Sequence, residues 1–240
     1  VEIGTFIEAT NRSATLEEVF GHFESALATL GFDRIMYSAL RDHPIYDSHA
    51  SPSVMRNYPD DWVKYYVDKN YIRLDPVRTV CLGSRAAFTW DDMVRRNRLH
   101  RDQKAVMDEG REAGLKDGIA VPLHGPHGEV MGVGMASSTG GVDAEHHLPL
   151  INLLTQHFHF AYTSLAHPEL LLPPKSVLTA RETEILTWVA AGKGDGVIAD
   201  ILGISEHGVD FHMRNIRNKL NADSRVTAVV KALRHGIINP

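Results

Sequence analysis

The sequence predicts an α+β chain of two modules, the first mixing helices with strands and the second helical throughout. Three observations carry this. Up to about residue 166, apolar residues at helical spacing give way in places to short strand-like runs bounded by turn residues. Pro168, Pro173 and Pro174 then fall close together, which stops a helix and stiffens a connection. After them come four helical segments punctuated by glycine and serine. The expected boundaries are therefore 1–166 for the first module, 167–176 for a linker and 177–240 for the second.

In the first module, Thr15-Leu-Glu-Glu18 has the spacing of a capping box and opens a helix with Leu16, Val19, Phe20, Phe23, Leu27 and Leu30 on one face. Gly31 ends it. Residues 35–40 read as a strand and 41–53 as a polar loop. Pro59-Asp60-Asp61 starts a helix, with acids where its dipole favours them, and that helix carries Trp62, Tyr65 and Tyr66. Asp75-Pro76 reads as a break that holds Asp75 extended. A helix over 101–113 stops near Gly114. Strands 118–124 and 129–137 flank a hairpin turn at His124–Gly128, and 145–165 is a long helix with Leu150, Leu153, Leu154, Phe158, Ala161, Tyr162 and Leu165.

The second module opens with a further capping box, Thr179-Ala-Arg-Glu182, which sets Ile185, Leu186 and Val189 inward before Gly192. A short helix over 195–202 ends at Gly203. Ser205 caps a third helix reaching Leu220, and Ser224 caps a fourth running to Leu233, closed by Gly236. Helix, short helix, tight glycine turn and longer helix is the order of a helix-turn-helix.

Composition limits the function classes. Of 240 residues, 43% are apolar and 23% charged, which fits a globular chain and excludes a disordered one. No apolar run is long enough to span a bilayer and no export signal is visible, so no membrane partner is expected. Cys81 is the single cysteine; it excludes an internal disulfide and points to the reducing cytoplasm. The net charge of −5 is unevenly spread. Residues 1–173 hold 16 Lys+Arg against 23 Asp+Glu, a net of −7, whereas 174–240 hold 9 against 7, a net of +2. Only the second module is suited to face phosphates.

On the third helix of that module, 100° per residue places Val209, Met213, Ile216 and Leu220 on one narrow core face. His207, Asp210, Phe211, Arg214 and Asn218 fall opposite. In a major groove Phe211 could meet a thymine methyl, Arg214 could pair with guanine and Asp210 could accept from a cytosine amino group. An ordinary amphipathic helix with one exposed aromatic is the plainer alternative. Ser205 at the helix start and Arg217 complete the residues expected to contact DNA.

Leu178–Trp188, Gly192-Lys193, Ile198-Ala199, Leu202–Ser205, Val209, Phe211-His212, Asn215 and Lys219-Leu220 together resemble the DNA-binding domain of LuxR-type regulators. Gly194, Val197, Gly208 and Asp210 depart from it: the family more usually has threonine, glutamate, threonine and a basic residue there. Losing the hydroxyl at Gly208 removes a phosphate contact, and Asp210 repels phosphates unless it meets a base.

In the first module Tyr58, Trp62, Tyr66, Asp75-Pro76, Trp90 and Gly118 resemble, in type and interval, the autoinducer-binding domain of the same quorum-sensing family, over about residues 15–165. The resemblance implies an α/β/α sandwich around an antiparallel sheet, followed by a four-helix helix-turn-helix domain. It also implies an acyl-homoserine lactone as signal, with no cofactor or metal. The residue chemistry agrees. Trp62 is a donor suited to the lactone carbonyl, Asp75 an acceptor for the amide N–H, and Tyr58 a donor to the acyl carbonyl. Tyr66 and Trp90 would supply flat walls. For the aromatics the alternative is a core position, and for Asp75 a surface position before proline. Gly134 stands where many relatives have serine or threonine, leaving space for an acyl group that is bulky near its carbonyl.

The resemblance further implies a homodimer on a palindromic site of double-stranded DNA, built through helices 145–165 and 225–235, with RNA polymerase as a possible further partner. No nucleophile motif points to an enzyme. Gly192-Lys193-Gly194 lacks the spacing of a phosphate loop, and His157 and His159 point to different helix faces. The alternatives are an orphan regulator that ignores ligand or senses a non-lactone signal, a phosphorelay regulator, and a lactone hydrolase.

Overall fold

The computed structural model of the chain describes residues 2–41, 54–125, 129–168 and 177–239. These fall into two compact units that meet in sequence near Pro168. The expected loop at 41–53, the turn at 124–128 and the linker at 167–176 lie largely outside the described residues.

The first unit is built on a five-stranded antiparallel sheet in the order β2-β1-β5-β4-β3. Its strands are β1 (Arg34–Arg41), β2 (Met55–Arg56), β3 (Phe88–Thr89), β4 (Lys116–His124) and β5 (Val130–Ser137). Period-two alternation sorts their side chains between two layers. Ile35, Tyr37, Ile119, Val121, Val133 and Met135 join the main core under helices α1 (Ile3–Arg12), α2 (Leu16–Ala28) and α7 (Ala144–Ala166). Phe23 on α2 and Phe158 on α7 stack at 4.2 Å within it. Met36, Ser38, Ala120, Gly132 and Gly134 face the other way, toward α3 (Asp60–Asp68), α4 (Pro76–Gly83), α5 (Trp90–Arg96) and α6 (Arg101–Glu112). The result is the expected α/β/α sandwich.

Local chemistry explains the boundaries. Thr15 caps α2 by accepting from Glu18 N, but the Glu18 carboxylate reaches Ala14 N instead of the cap residue, so the box is offset by one residue. Gly31 adopts φ +90°, a conformation open to glycine. The reading of Asp75-Pro76 as a break needs correction. Asp75 is extended, but as the N-cap of α4, with Pro76 at the first helical position, where its missing N–H costs nothing. Helices α1 and α5 and the short strands β2 and β3 also went unseen in the sequence.

The second unit comprises α8 (Ala180–Ala190), α9 (Asp195–Leu202), α10 (Glu206–Lys219) and α11 (Arg225–Arg234). Thr179 and Glu182 form the full capping box at α8. Gly203 takes the left-handed conformation between α9 and α10, and Ser205 and Ser224 cap α10 and α11. Ile185, Leu186, Ile198, Val209, Met213, Ile216 and Ala228 form its core. Glu182 is buried and bonds Lys219 Nζ at 2.7 Å, joining the start of α8 to the end of α10. Burial alone would raise its carboxyl. The bonds from Lys219 and Thr179 and the lysine's charge outweigh that and hold it below its ordinary value.

Candidate functional site

Between the inner face of the sheet and helices α3 to α6 lies a cavity lined by Met36, Ser38, Leu40, Tyr58, Trp62, Tyr66, Asp75, Arg78, Trp90, Gly132 and Gly134, among others. All five residues singled out in the first module line it. Trp62, on the inner side of α3, is only 8% exposed, held among Tyr65, Tyr66 and Tyr71 with ring centroids 6.0–6.4 Å away. Helix α6 closes on it at Gly110, where a Cβ would stand 3.4 Å from the indole. Trp90 lies directly on Gly118. A Cβ there would fall 2.0 Å from the ring, so the glycine exists to admit the indole. Tyr58 reaches over the sheet until its hydroxyl is 3.3 Å from where a Gly134 Cβ would be.

Among the described residues the Trp62 indole N–H, the Tyr58 hydroxyl and the enclosed Trp90 indole N–H have no hydrogen-bond partner. Buried donors are normally paired, so unpaired donors on residues that line one cavity are suited to acceptors brought from outside. The acceptor is Asp75. Its Oδ1 takes Val77 N at 2.7 Å and Arg78 N at 3.4 Å, and its Oδ2 takes the Tyr66 hydroxyl at 2.7 Å. A carboxylate oxygen has two acceptor directions, so Asp75 keeps capacity for another donor. Tyr66 is therefore more than the flat wall expected of it, since its hydroxyl fixes the carboxylate. Desolvation raises the Asp75 carboxyl above its ordinary value, and the bonds from Tyr66, Val77 and Arg78 oppose the rise. The phenols of Tyr58 and Tyr66 are pushed up by burial and by the Asp75 charge. Cys81 is raised to about 12 by the same two causes, which leaves it an unreactive thiol.

Sequence reading missed Ser38, Arg78, Val77 and Cys81. With α4 started at Pro76, Val77, Arg78 and Cys81 would have fallen together on a cavity-facing side. The even-numbered residues of β1 would have been found by carrying its alternation across to the side away from the aromatic core.

On α10 the outer residues Ser205, His207, Asp210, Phe211, Arg214 and Asn218 are exposed, and Phe211 is 53% exposed on a unit with its own core. Arg217 is half-buried, with its Nε enclosed and unpartnered among the described residues, so it sits partly against the unit. Asp210 and Arg214 are not independent, for they form an ion pair at 3.2 Å one turn apart. Among the described residues no group of three or more His, Cys, Asp or Glu side chains is placed to hold a metal ion. No helix among them is long and apolar enough to cross a membrane.

Comparisons with known proteins find a family match for each part of the chain. Residues 15–162 match the family described as autoinducer binding domain, and residues 176–232 match the bacterial regulatory proteins of the luxR family. The chain is 33% identical to the quorum-sensing regulator RhlR of Pseudomonas aeruginosa, over 92% of this chain and 89% of that protein. It is 34% identical to the transcriptional activator VanR of Vibrio anguillarum, over 78% of each. The crystal structure of Escherichia coli SdiA superposes with a TM-score of 0.73 at 28% identity, covering 99% of this chain and 98% of that one. SdiA in complex with octanoyl-rac-glycerol gives the same TM-score at 27% identity, covering 99% and 95%.

Proposed function

Because the chain belongs to the LuxR family of autoinducer-binding transcriptional regulators, we propose that its signal is an acyl-homoserine lactone and that cavity occupancy governs dimeric binding to a palindromic DNA site. In this reading residues 1–166 bind the signal, 167–176 connect, and 177–240 bind DNA.

One observation carries the ligand assignment: Trp62, Tyr58 and Asp75 line one cavity as two unpaired donors and an anchored acceptor. An acyl-homoserine lactone offers the matching set. Its lactone carbonyl takes the indole N–H, its acyl carbonyl takes the phenol, and its amide N–H meets the carboxylate. Tyr66 and Trp90 pack against the ring and the start of the chain. Gly134, beside the Tyr58 hydroxyl, gives an acyl group room for branching near its carbonyl.

Occupancy stabilises the fold by about 2.7 kcal/mol when ligand stands at a hundred times its Kd. Exposed apolar residues on α7 (Leu153, Phe160) and on α11 (Val226, Val230, Leu233) supply surfaces for a dimer. Two α10 helices then meet half-sites about one duplex turn apart. Ser205, His207, Asp210, Phe211, Arg214, Arg217 and Asn218 are the proposed contacts. The test is a thermal melt with a panel of acyl-homoserine lactones. A rise of several degrees with one of them is expected, and a melt unmoved by all of them would reject the assignment.

A second reading has specific support. A related protein, SdiA, has been solved with octanoyl-rac-glycerol, so a cavity of this family can accept an acyl group on a head that is not a lactone. The same melt with octanoyl-glycerol separates the two.

A further inference from the structure

The lining of the cavity carries information about the acyl group itself, given the reading that an acyl-homoserine lactone binds there. On the inner face of the sheet Gly134 lies opposite Met36, next to the Tyr58 hydroxyl. The next row, away from Trp90, pairs Ser38 with Gly132, roughly 6.6 Å further along the strands, the reach of a five- to six-carbon chain. Past it Leu40 folds over Gly132, where a Cβ would meet its Cδ1 at 2.6 Å.

This end of the cavity is expected to be hydrocarbon and is not. Ser38 is buried, and its hydroxyl has no side-chain hydrogen bond among the described residues. The half-buried Arg78 on α4 also lines the cavity, and among the described residues its guanidinium makes one long bond, 3.5 Å, to the carbonyl of Ala39. A guanidinium has five N–H donors in a planar fork. A plain alkyl tail would cover these donors and the serine hydroxyl with groups that accept nothing, which is unfavourable. A tail with an oxygen at this depth would satisfy them.

We propose that the acyl group of the signal carries an oxygen acceptor at its far end, a hydroxyl or a carboxylate, received by the Arg78 guanidinium and the Ser38 hydroxyl one strand row beyond the amide carbonyl. Arg78 then selects among acyl chains, whereas Trp62, Tyr58 and Asp75 hold the head common to all of them. The planar fork matches a carboxylate in two parallel bonds and a hydroxyl in one.

The test is calorimetric titration of the full-length protein with three lactones of equal chain length: hexanoyl-, 6-hydroxyhexanoyl- and 5-carboxypentanoyl-homoserine lactone. The two oxygenated lactones should bind about tenfold tighter or better than the hexanoyl compound, the weight of one charge-assisted bond. In Arg78→Met that ratio should fall to about one or invert, and in Arg78→Lys the preference should survive in weakened form. Hexanoyl-homoserine lactone binding as tightly as the other two to the unaltered protein would overturn the proposal without touching the lactone assignment. Equal loss of all three ligands in Arg78→Met would also overturn it, making Arg78 a support for the Asp75 charge. Failure of all three to bind the unaltered protein would overturn this inference, and the melt with the full lactone panel decides separately whether the lactone reading falls with it.

Discussion

The Tyr66 hydroxyl donates to Asp75 Oδ2 at 2.7 Å, so a side chain that reads from the sequence as a wall of the cavity holds the acceptor that the proposed signal needs. The other carboxylate oxygen is fixed by the backbone at the start of α4. Asp75 is thus oriented from two directions before any ligand arrives, which lowers the ordering cost of binding.

Removing that hydroxyl tests the arrangement. Tyr66→Phe keeps the aromatic wall and should weaken binding of an activating lactone by roughly tenfold, the size of one hydrogen bond to a charged group. Asp75→Ala should abolish binding. Unchanged affinity in Tyr66→Phe, measured by calorimetry, would show that the carboxylate needs no such support.

The raised Asp75 carboxyl makes a pH prediction with a definite sign. The amide N–H of a lactone needs the ionised acceptor, so affinity should climb as pH rises through the folded-state pKa of Asp75, which lies above 3.8. For the ligand-free protein the effect on stability runs the other way. A carboxyl whose folded pKa is raised binds its proton more tightly in the native state, so its contribution declines as pH rises from the unfolded value toward the folded one. Lactone binding favours the charged form and should flatten that decline. Melts from pH 4 upward, with and without ligand, would reveal it, and Asp75→Asn should erase both trends.

Glu182 gives the opposite sign in the DNA-binding unit. Its folded-state pKa is depressed, so its stabilising contribution is fully present above the ordinary value of 4.5 and is lost as pH falls through the lowered one. Glu182→Gln should cost about 1–3 kcal/mol, because the Lys219 bond loses its charge and the cap is weakened. Denaturant unfolding at pH 7 and pH 4 should show a difference between the two proteins that narrows at the lower pH.

Gly118→Ala probes shape alone. The added Cβ would fall 2.0 Å from the Trp90 ring, so the indole or the strand must move. Overpacking of this kind costs about 1–3 kcal/mol, and displacement of a cavity wall should reduce ligand affinity as well. Trp90 fluorescence compared with that of the unaltered protein reports the displacement, and an unchanged spectrum with unchanged affinity would contradict the packing described.

On the DNA side, Arg214→Ala should relax base preference at one position by about 1–3 kcal/mol. Asp210→Ala frees Arg214 from its ion pair. Because the pair is exposed, the effect should fall on sequence preference and leave the melting temperature nearly unchanged. Binding to a randomised operator library distinguishes loss of preference from loss of affinity.

The second unit was legible almost residue by residue. Its helices begin at Thr179, Ser205 and Ser224 because a hydroxyl beside an apolar run satisfies the orphan N–H groups of a first turn, a requirement met within four residues. The apolar face of α10 follows from helical spacing alone. In the first unit Tyr58, Trp62, Tyr66, Asp75 and Trp90 were visible as types at intervals, and they do line one cavity; Gly118 was visible too and lies under the Trp90 ring. Short elements such as β2, β3 and α5 were not visible, because two to seven residues carry too little periodicity to stand above their flanks.

What the chain by itself determined was therefore local: where helices start and stop, which face of each is apolar, and which chemical groups are present. Tertiary structure alone decided that the Tyr66 hydroxyl meets the Asp75 carboxylate, that Asp75 opens a helix instead of ending one, and that Ser38 and Arg78 meet in one cavity. The physical reason is distance along the chain. A cap is settled by neighbours three residues apart, whereas Ser38 and Arg78 stand 40 positions apart and are brought together only when α4 packs on the face of the sheet toward which Ser38 of β1 points.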